Sequence, residues 1–258
     1  MAVNNKRQIS KTPTAYITFG VTLLILMAII GISTFLRANE IRVEGIAIYS
    51  REEIVESSGL SLGDNLFFVK ATTISKNIRQ ALPFVKTAEI SRVLPDKIFI
   101  EISESVAIAS IAFAGDLLIL DSSGRVLAQT TGNENTLPGI YLEDLIEVRG
   151  VEINDMSLGV ALTPALGTES KLLNMQDVLN GLERDDLYGD VSYLDVSNTG
   201  NIQFGYMNMY RVVLGGISDL RHKLGILPSA VSDIQLNFPN TPGDIDLSDP
   251  SDVRFRPT

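Results

Sequence analysis

One uncharged run, residues 12–36, constrains this chain more than any other feature in it. Its centre, Val21-Thr-Leu-Leu-Ile-Leu-Met-Ala-Ile-Ile30, is apolar on every helical face, whereas a helix lying in an interface keeps a polar stripe. Residues 16–36 number 21, and at about 1.5 Å of rise each they would reach roughly 30 Å, the hydrocarbon thickness of a bilayer. A transmembrane helix over 16–36 is the expectation. A cleaved signal peptide would have an apolar core of about 7–15 residues and small residues three apart before the cut, and Leu36-Arg-Ala-Asn39 offers no such site.

Lys6, Arg7 and Lys11 precede the run with no acidic residue among them, which predicts a cytoplasmic tail over 1–15 and an extracytoplasmic remainder. Of the 21 Lys and Arg, taking away those three leaves 18 against 31 Asp and Glu, a formal −13 for the outer part. Nucleic acid needs clustered Lys and Arg, so it is not an expected partner. The balance suits a domain held near, rather than on, an anionic membrane. With no cysteine there is no disulfide framework, no thiol nucleophile and no sulfur ligand for structural zinc. The roughly 220 residues beyond the run suffice for one large or two small ordinary cores.

The outer chain opens with an αβ pattern. Glu40-Ile-Arg-Val-Glu44 alternates and stops at Gly45, as a short strand does. Ser50-Arg-Glu-Glu53 has the spacing of a capping box and starts a helix, which Gly59 can end in a left-handed conformation. Gly63-Asp64 marks a further turn before Leu66-Phe-Phe-Val69. Ile74, Ile78, Ala81 and Leu82 form one stripe of a helix over 73–81 that Pro83 stops. Thr87-Ala-Glu-Ile-Ser-Arg92 and Lys97-Ile-Phe-Ile-Glu-Ile102, joined through Leu94-Pro95-Asp96, read as a hairpin covering the helices. The order β-α-α-β-β predicts a compact α+β domain over 37–105.

On these residues the chain resembles a known family. Ile41-Arg-Val-Glu-Gly45, Ser58-Gly-Leu-Ser-Leu-Gly-Asp-Asn-Leu-Phe67, Leu82-Pro-Phe-Val85 and Arg92-Val-Leu-Pro-Asp-Lys-Ile-Phe-Ile-Glu101 are similar to the POTRA domain of the FtsQ/DivIB division proteins. The motif positions are Val43, Gly45, Gly59, Gly63, Pro83, Val85, Arg92 and Pro95. Where that family continues into Glu-Arg-x-Pro-Val-Ala, this chain has Glu104-Ser-Val-Ala-Ile-Ala109. Lacking the proline, residues Ser103, Glu104, Ser105 and Val106 are a candidate interdomain hinge.

The second part, 106–258, is β-rich. Asp116-Leu-Leu-Ile-Leu-Asp121 and Arg125-Val-Leu-Ala128 flank the turn Ser122-Ser-Gly124 and predict a hairpin. Residues 130–166 are dense in turn formers and read as loops and short strands. Leu172, Met175, Leu179 and Leu182 share a helical face over 171–182. Tyr193-Leu-Asp-Val196, Asn201-Ile-Gln-Phe204 and Tyr210-Arg-Val-Val-Leu214 follow as strands, then a helix over 218–227 ended by Pro228. The closing Ile245-Asp-Leu247 and Val253-Arg-Phe-Arg-Pro257 also resemble the second domain of FtsQ/DivIB.

Candidate chemistry is sparse. His222, the one histidine, falls on a predicted helix face opposite Leu220 and Leu224 and reads as a solvated surface residue. No G-x-S-x-G elbow and no phosphate loop occurs, and the pairs Glu52-Glu53, Glu143-Asp144 and Asp185-Asp186 lack calcium-loop spacing. No catalytic residue, cofactor or metal is expected.

The C-terminal segment has a physical reason to bind protein. Ile245, Leu247, Val253 and Phe255 alternate with Asp244, Asp246, Arg254 and Arg256, and a final strand at a sheet edge offers unpaired backbone groups. From the residues alone these side chains either close the domain's own core or receive a partner. The resemblance favours binding, with Ile245, Asp246, Leu247, Val253, Arg254 and Phe255 as candidate partner-binding residues. It implies a single-pass plasma-membrane protein of the division septum, a non-catalytic scaffold. Its implied partners are the coiled-coil proteins FtsL and FtsB/DivIC and, indirectly, the septal peptidoglycan synthase. The alternatives are a membrane-anchored cell-wall enzyme and a POTRA protein of envelope assembly or secretion, the latter needing a β-barrel for which the chain has too few long strands.

Overall fold

The computed structural model describes residues 12–131 and 140–258, with side chains in its first helix described for 16–27 and 31. Lys6, Arg7 and the predicted tail up to Lys11 lie outside the described residues. Helix α1, Thr12–Phe35, has every described side chain exposed. Among the described residues no helix is long and apolar enough to cross a membrane.

The first sheet unit follows the local signals closely. Strand β1 (Glu40–Glu44) ends at Gly45, whose φ is +81° and whose Cβ, had it one, would lie 2.0 Å from the Ile102 carbonyl oxygen. Helix α2 (Arg51–Ser58) begins with the reciprocal cap, Ser50 Oγ accepting from the Glu53 amide while the Glu53 carboxylate accepts from the Ser50 amide at 2.8 Å. It ends at Gly59 in the left-handed region. Helix α3 (Ala71–Ala81) presents Ile74 and Ile78 inward. Strands β2 (Val85–Val93) and β3 (Lys97–Glu104) pair antiparallel with Ala88 opposite Ile102, Ile90 opposite Ile100 and Arg92 opposite Ile98. Directly opposite residues share a face, so Ala88, Ile98, Ile100 and Ile102 form one apolar surface under both helices. Strand β1 pairs parallel to β3, giving the order β1-β3-β2.

The remainder builds a nine-stranded sheet. Strands β4 (Ala109–Phe113), β5 (Asp116–Leu120) and β6 (Val126–Thr130) form a meander. Strand β7 (Ile146–Arg149) runs parallel to β4, and the short β8 (Ile153–Asp155) and β9 (Thr163–Pro164) pair only with each other. After helix α4 (Glu169–Arg184) come β10 (Val191–Asp195), β11 (Ile202–Tyr206) and β12 (Tyr210–Gly215), then helix α5 (Leu220–Asn237), β13 (Gly243–Asp246) and β14 (Arg254–Pro257). The strand order is β14-β13-β12-β11-β10-β7-β4-β5-β6. Leu172, Met175, Leu179 and Leu182 of α4 and Leu224, Leu227, Val231 and Ile234 of α5 join its core.

Pro228 does not end the last helix as its sequence position suggests; α5 continues nine residues beyond it, to Asn237. An internal proline costs about 3 kcal/mol, and burying Val231 and Ile234 beyond it returns about 1.5–3 kcal/mol apiece. Packing therefore outweighs the local penalty. Glycine also serves packing here: a Cβ on Gly181 of α4 would lie 2.6 Å from Leu224 of α5.

Candidate functional site: an open sheet edge and a buried junction

Strand β14 closes one end of the large sheet, bonded to β13 on one side only. The register sets Ile245 opposite Phe255, Asp244 opposite Arg256 and Asp246 opposite Arg254. One face of the pair is therefore apolar and the other carries alternating charge. Phe255 stacks edge-on against Tyr210 at 6.1 Å and tilts against Phe238 at 5.4 Å. Strand β14 fits only because position 243 is glycine: a Cβ there would fall 2.4 Å from the Arg256 carbonyl oxygen and 2.6 Å from the Phe255 ring.

The candidate partner residues divide by burial. Ile245 and Leu247 are fully buried and belong to the core, Phe255 is half-buried, and Val253 and Arg254 are exposed. Arg254 pairs with Asp252, and Asp244 pairs with Arg211 of β12. Two bonds from Ser248, with help from Arg256 and Arg254, hold the Asp246 carboxyl below the usual carboxylate range. The exposed rim of β14 thus carries fixed charges and, among the described residues, a backbone edge with no neighbouring strand.

A second feature had no signal in the sequence. Arg125, in the turn between β5 and β6, is 6% exposed, and its guanidinium donates to the carbonyls of Gly159 at 2.7 Å, Val85 at 2.7 Å and Arg79 at 3.3 Å. Burial first, then the nearby Arg79 charge, pull its pKa down. Around it Phe84 packs with Ile119, Leu127, Ala128 and Leu145 in a small core of its own, flanked by Tyr49. The Phe84 amide donates to the Tyr49 hydroxyl at 3.2 Å.

The candidate hinge runs beside this junction. Ser103 and Val106 are exposed. The Glu104 carboxylate accepts from the amides of Ala47 at 3.1 Å and Ile48 at 3.0 Å. Ser105 is buried; its amide donates to the Phe84 carbonyl at 2.7 Å and its hydroxyl to the Asp121 carboxylate at 2.9 Å. Of the motif positions, Gly63 donates to the Ala38 carbonyl at 2.7 Å, Arg92 to the Val69 carbonyl at 2.5 Å, Val85 is buried, and Pro95 follows a cis peptide in the β2–β3 turn. Pro83 lies between α3 and β2, and Val43 packs at the margin of the first core.

His222 lies exposed on α5, whereas its neighbour Lys223 is buried and donates to the carbonyls of Leu214 at 2.8 Å and Gly216 at 3.0 Å. Among the described residues no group of three His, Asp or Glu side chains could hold a metal ion.

Residues 36–105 match the family model described as the POTRA domain, FtsQ-type. The cell division protein DivIB of Clostridium tetani is 26% identical over 190 residues, covering 74% of this chain and 68% of that one. DivIB of Clostridium acetobutylicum is 27% identical over 184 residues, 71% and 69% of the two chains. The cell division protein FtsQ of Corynebacterium glutamicum is 30% identical over 134 residues, 45% and 60% of the two chains.

Proposed function

We propose, from the premise that this chain is a member of the FtsQ/DivIB family of cell-division proteins, that it serves division as a membrane-anchored scaffold and catalyses nothing. Residues 1–15 would lie in the cytoplasm and 16–36 would span the plasma membrane. Residues 37–105 and 106–258 would act outside it at the septum. The uncharged run of 21 residues over 16–36 supports the span, since about 20 apolar residues suffice.

The observation that carries the scaffold reading is the open edge of β14. An edge strand presents unpaired amides and carbonyls that an extended segment of another chain completes, with side-chain alternation giving specificity. The expected occupants are FtsL and FtsB/DivIC-type coiled-coil proteins, through which the septal peptidoglycan synthase is reached.

The test is binding of the full-length chain in nanodiscs to the outer segments of those two proteins, alone and premixed. Phe255→Asp should abolish binding. Val253→Asp, which alters only the exposed rim, should weaken it at least tenfold while circular dichroism stays unchanged. Undiminished binding by both variants would sink the edge reading, and no binding by the parent would remove the scaffold account.

A further inference from the structure

One loop of the first sheet unit points large apolar side chains both ways. Leu66 and Val69 enter the core, whereas Leu62, Phe67 and Phe68 are 69%, 69% and 72% exposed. The loop is well fastened. Asn65 accepts at its side-chain oxygen from the Phe67 amide at 2.9 Å and at its carbonyl from the Phe68 amide at 3.0 Å. The two rings meet edge-on at 5.5 Å. Two large rings held together and exposed mark a surface suited to apolar contact.

Position says what that surface meets. The loop is bonded to the residues that directly follow α1: Leu66 N to Leu36 O at 2.9 Å, Ala38 N to Asp64 O at 2.8 Å, and Gly63 N to Ala38 O at 2.7 Å, with Arg37 bridged to Asn65. The loop therefore stands level with the end of α1. Where α1 spans a bilayer, that level is the headgroup layer, in which aromatic rings concentrate. Arg37 and Lys70 bracket the loop, both exposed and neither in an ion pair among the described residues. They are placed to meet lipid phosphates, although the outer chain as a whole is acidic.

We infer that the loop bearing Leu62, Phe67 and Phe68 is a lipid-surface contact that seats the first sheet unit on the outer leaflet beside α1. The inference rests on the span proposed for 16–36. A unit seated at two points, helix and loop, is held in one orientation to the membrane instead of swinging on a single tether.

The chain has no tryptophan, so Phe68→Trp gives the full-length protein one fluorophore. Leu24→Trp, inside α1, reports separately on the span, and Leu236→Trp, 79% exposed on α5, serves as the distant control. Each is reconstituted in phosphatidylcholine–phosphatidylglycerol vesicles with and without lipids brominated along their acyl chains. The expected result is at least twofold quenching at 68 and at 24, none at 236, and blue-shifted emission at 68. Quenching at 24 with unquenched emission at 68 overturns the loop contact and leaves the span, whether the indole at 68 is in water or covered by another chain. Quenching at neither overturns both. Equal quenching at 68 and 236 means adsorption of the whole surface and also overturns the contact.

Discussion

The Nη1 atom of Arg125 lies 2.7 Å from the carbonyl oxygen of Val85, so a side chain rooted beside the nine-stranded sheet ends on the backbone of the three-stranded one. Replacing it leaves the buried Val85 carbonyl and the part-buried Gly159 carbonyl without their donor. Arg125→Ala should lower the unfolding free energy by about 3 kcal/mol in urea titrations. Arg125→Lys should recover little, because a point charge cannot reproduce the planar fork. Opening at 103–106 would require this contact to break, so spin labels on the two sheets should show a broader distance distribution in Arg125→Ala.

Tyr210 presents the opposite case. Its ring is buried against Phe255, and its hydroxyl is buried with no hydrogen-bond partner among the described residues. An unsatisfied buried hydroxyl costs about 1–3 kcal/mol. Tyr210→Phe should therefore raise the melting temperature measured by calorimetry while leaving the β14 edge in place.

Glu40 carries the clearest pH signature. The Lys97 ammonium at 2.6 Å and the Arg42 guanidinium at 2.5 Å hold its carboxyl at about 2, against an ordinary 4.5. Because the folded value is depressed, its contribution is present above pH 4.5 and lost as pH falls towards about 2. A carboxyl-carbon NMR titration should place the midpoint near 2, and Lys97→Met should move it upward towards the ordinary value. High salt should do the same in part, since the pair is exposed.

Lys223 should matter far more than the histidine beside it. Its ammonium satisfies two carbonyls at the end of β12 from a buried position. Lys223→Met should cost about 2 kcal/mol in denaturant titrations, whereas His222→Ala, at an exposed site, should stay within about 0.5 kcal/mol of the parent.

Features set by neighbours in the chain were legible before any coordinates. The Ser50 and Glu53 cap, the Gly59 terminus, the Ile74 and Ile78 stripe and the β2–β3 hairpin depend on spacings of four residues or fewer, or on a tight turn. Strands β4 and β7 were not, because their parallel pairing joins segments about 35 residues apart and leaves no periodic trace in short apolar stretches. The charged residues Arg125 and Lys223 look like surface residues in the sequence, and only the fold supplies the distant carbonyls that bury them. Pro228 shows the converse, a strong local signal overruled by Val231 and Ile234. At the C-terminal edge the alternation was readable, but the core position of Ile245 and the rim position of Val253 follow from which strand lies outermost.

That last choice hangs on Gly243. A methyl group at this position would collide with the Arg256 carbonyl and the Phe255 ring and push β14 off the sheet. The border would then pass to β13, and with it the surface offered to any other chain would change from Arg-Phe-Arg to Asp-Ile-Asp. One hydrogen atom in place of a carbon thus decides the sign of the charge at that margin of the sheet.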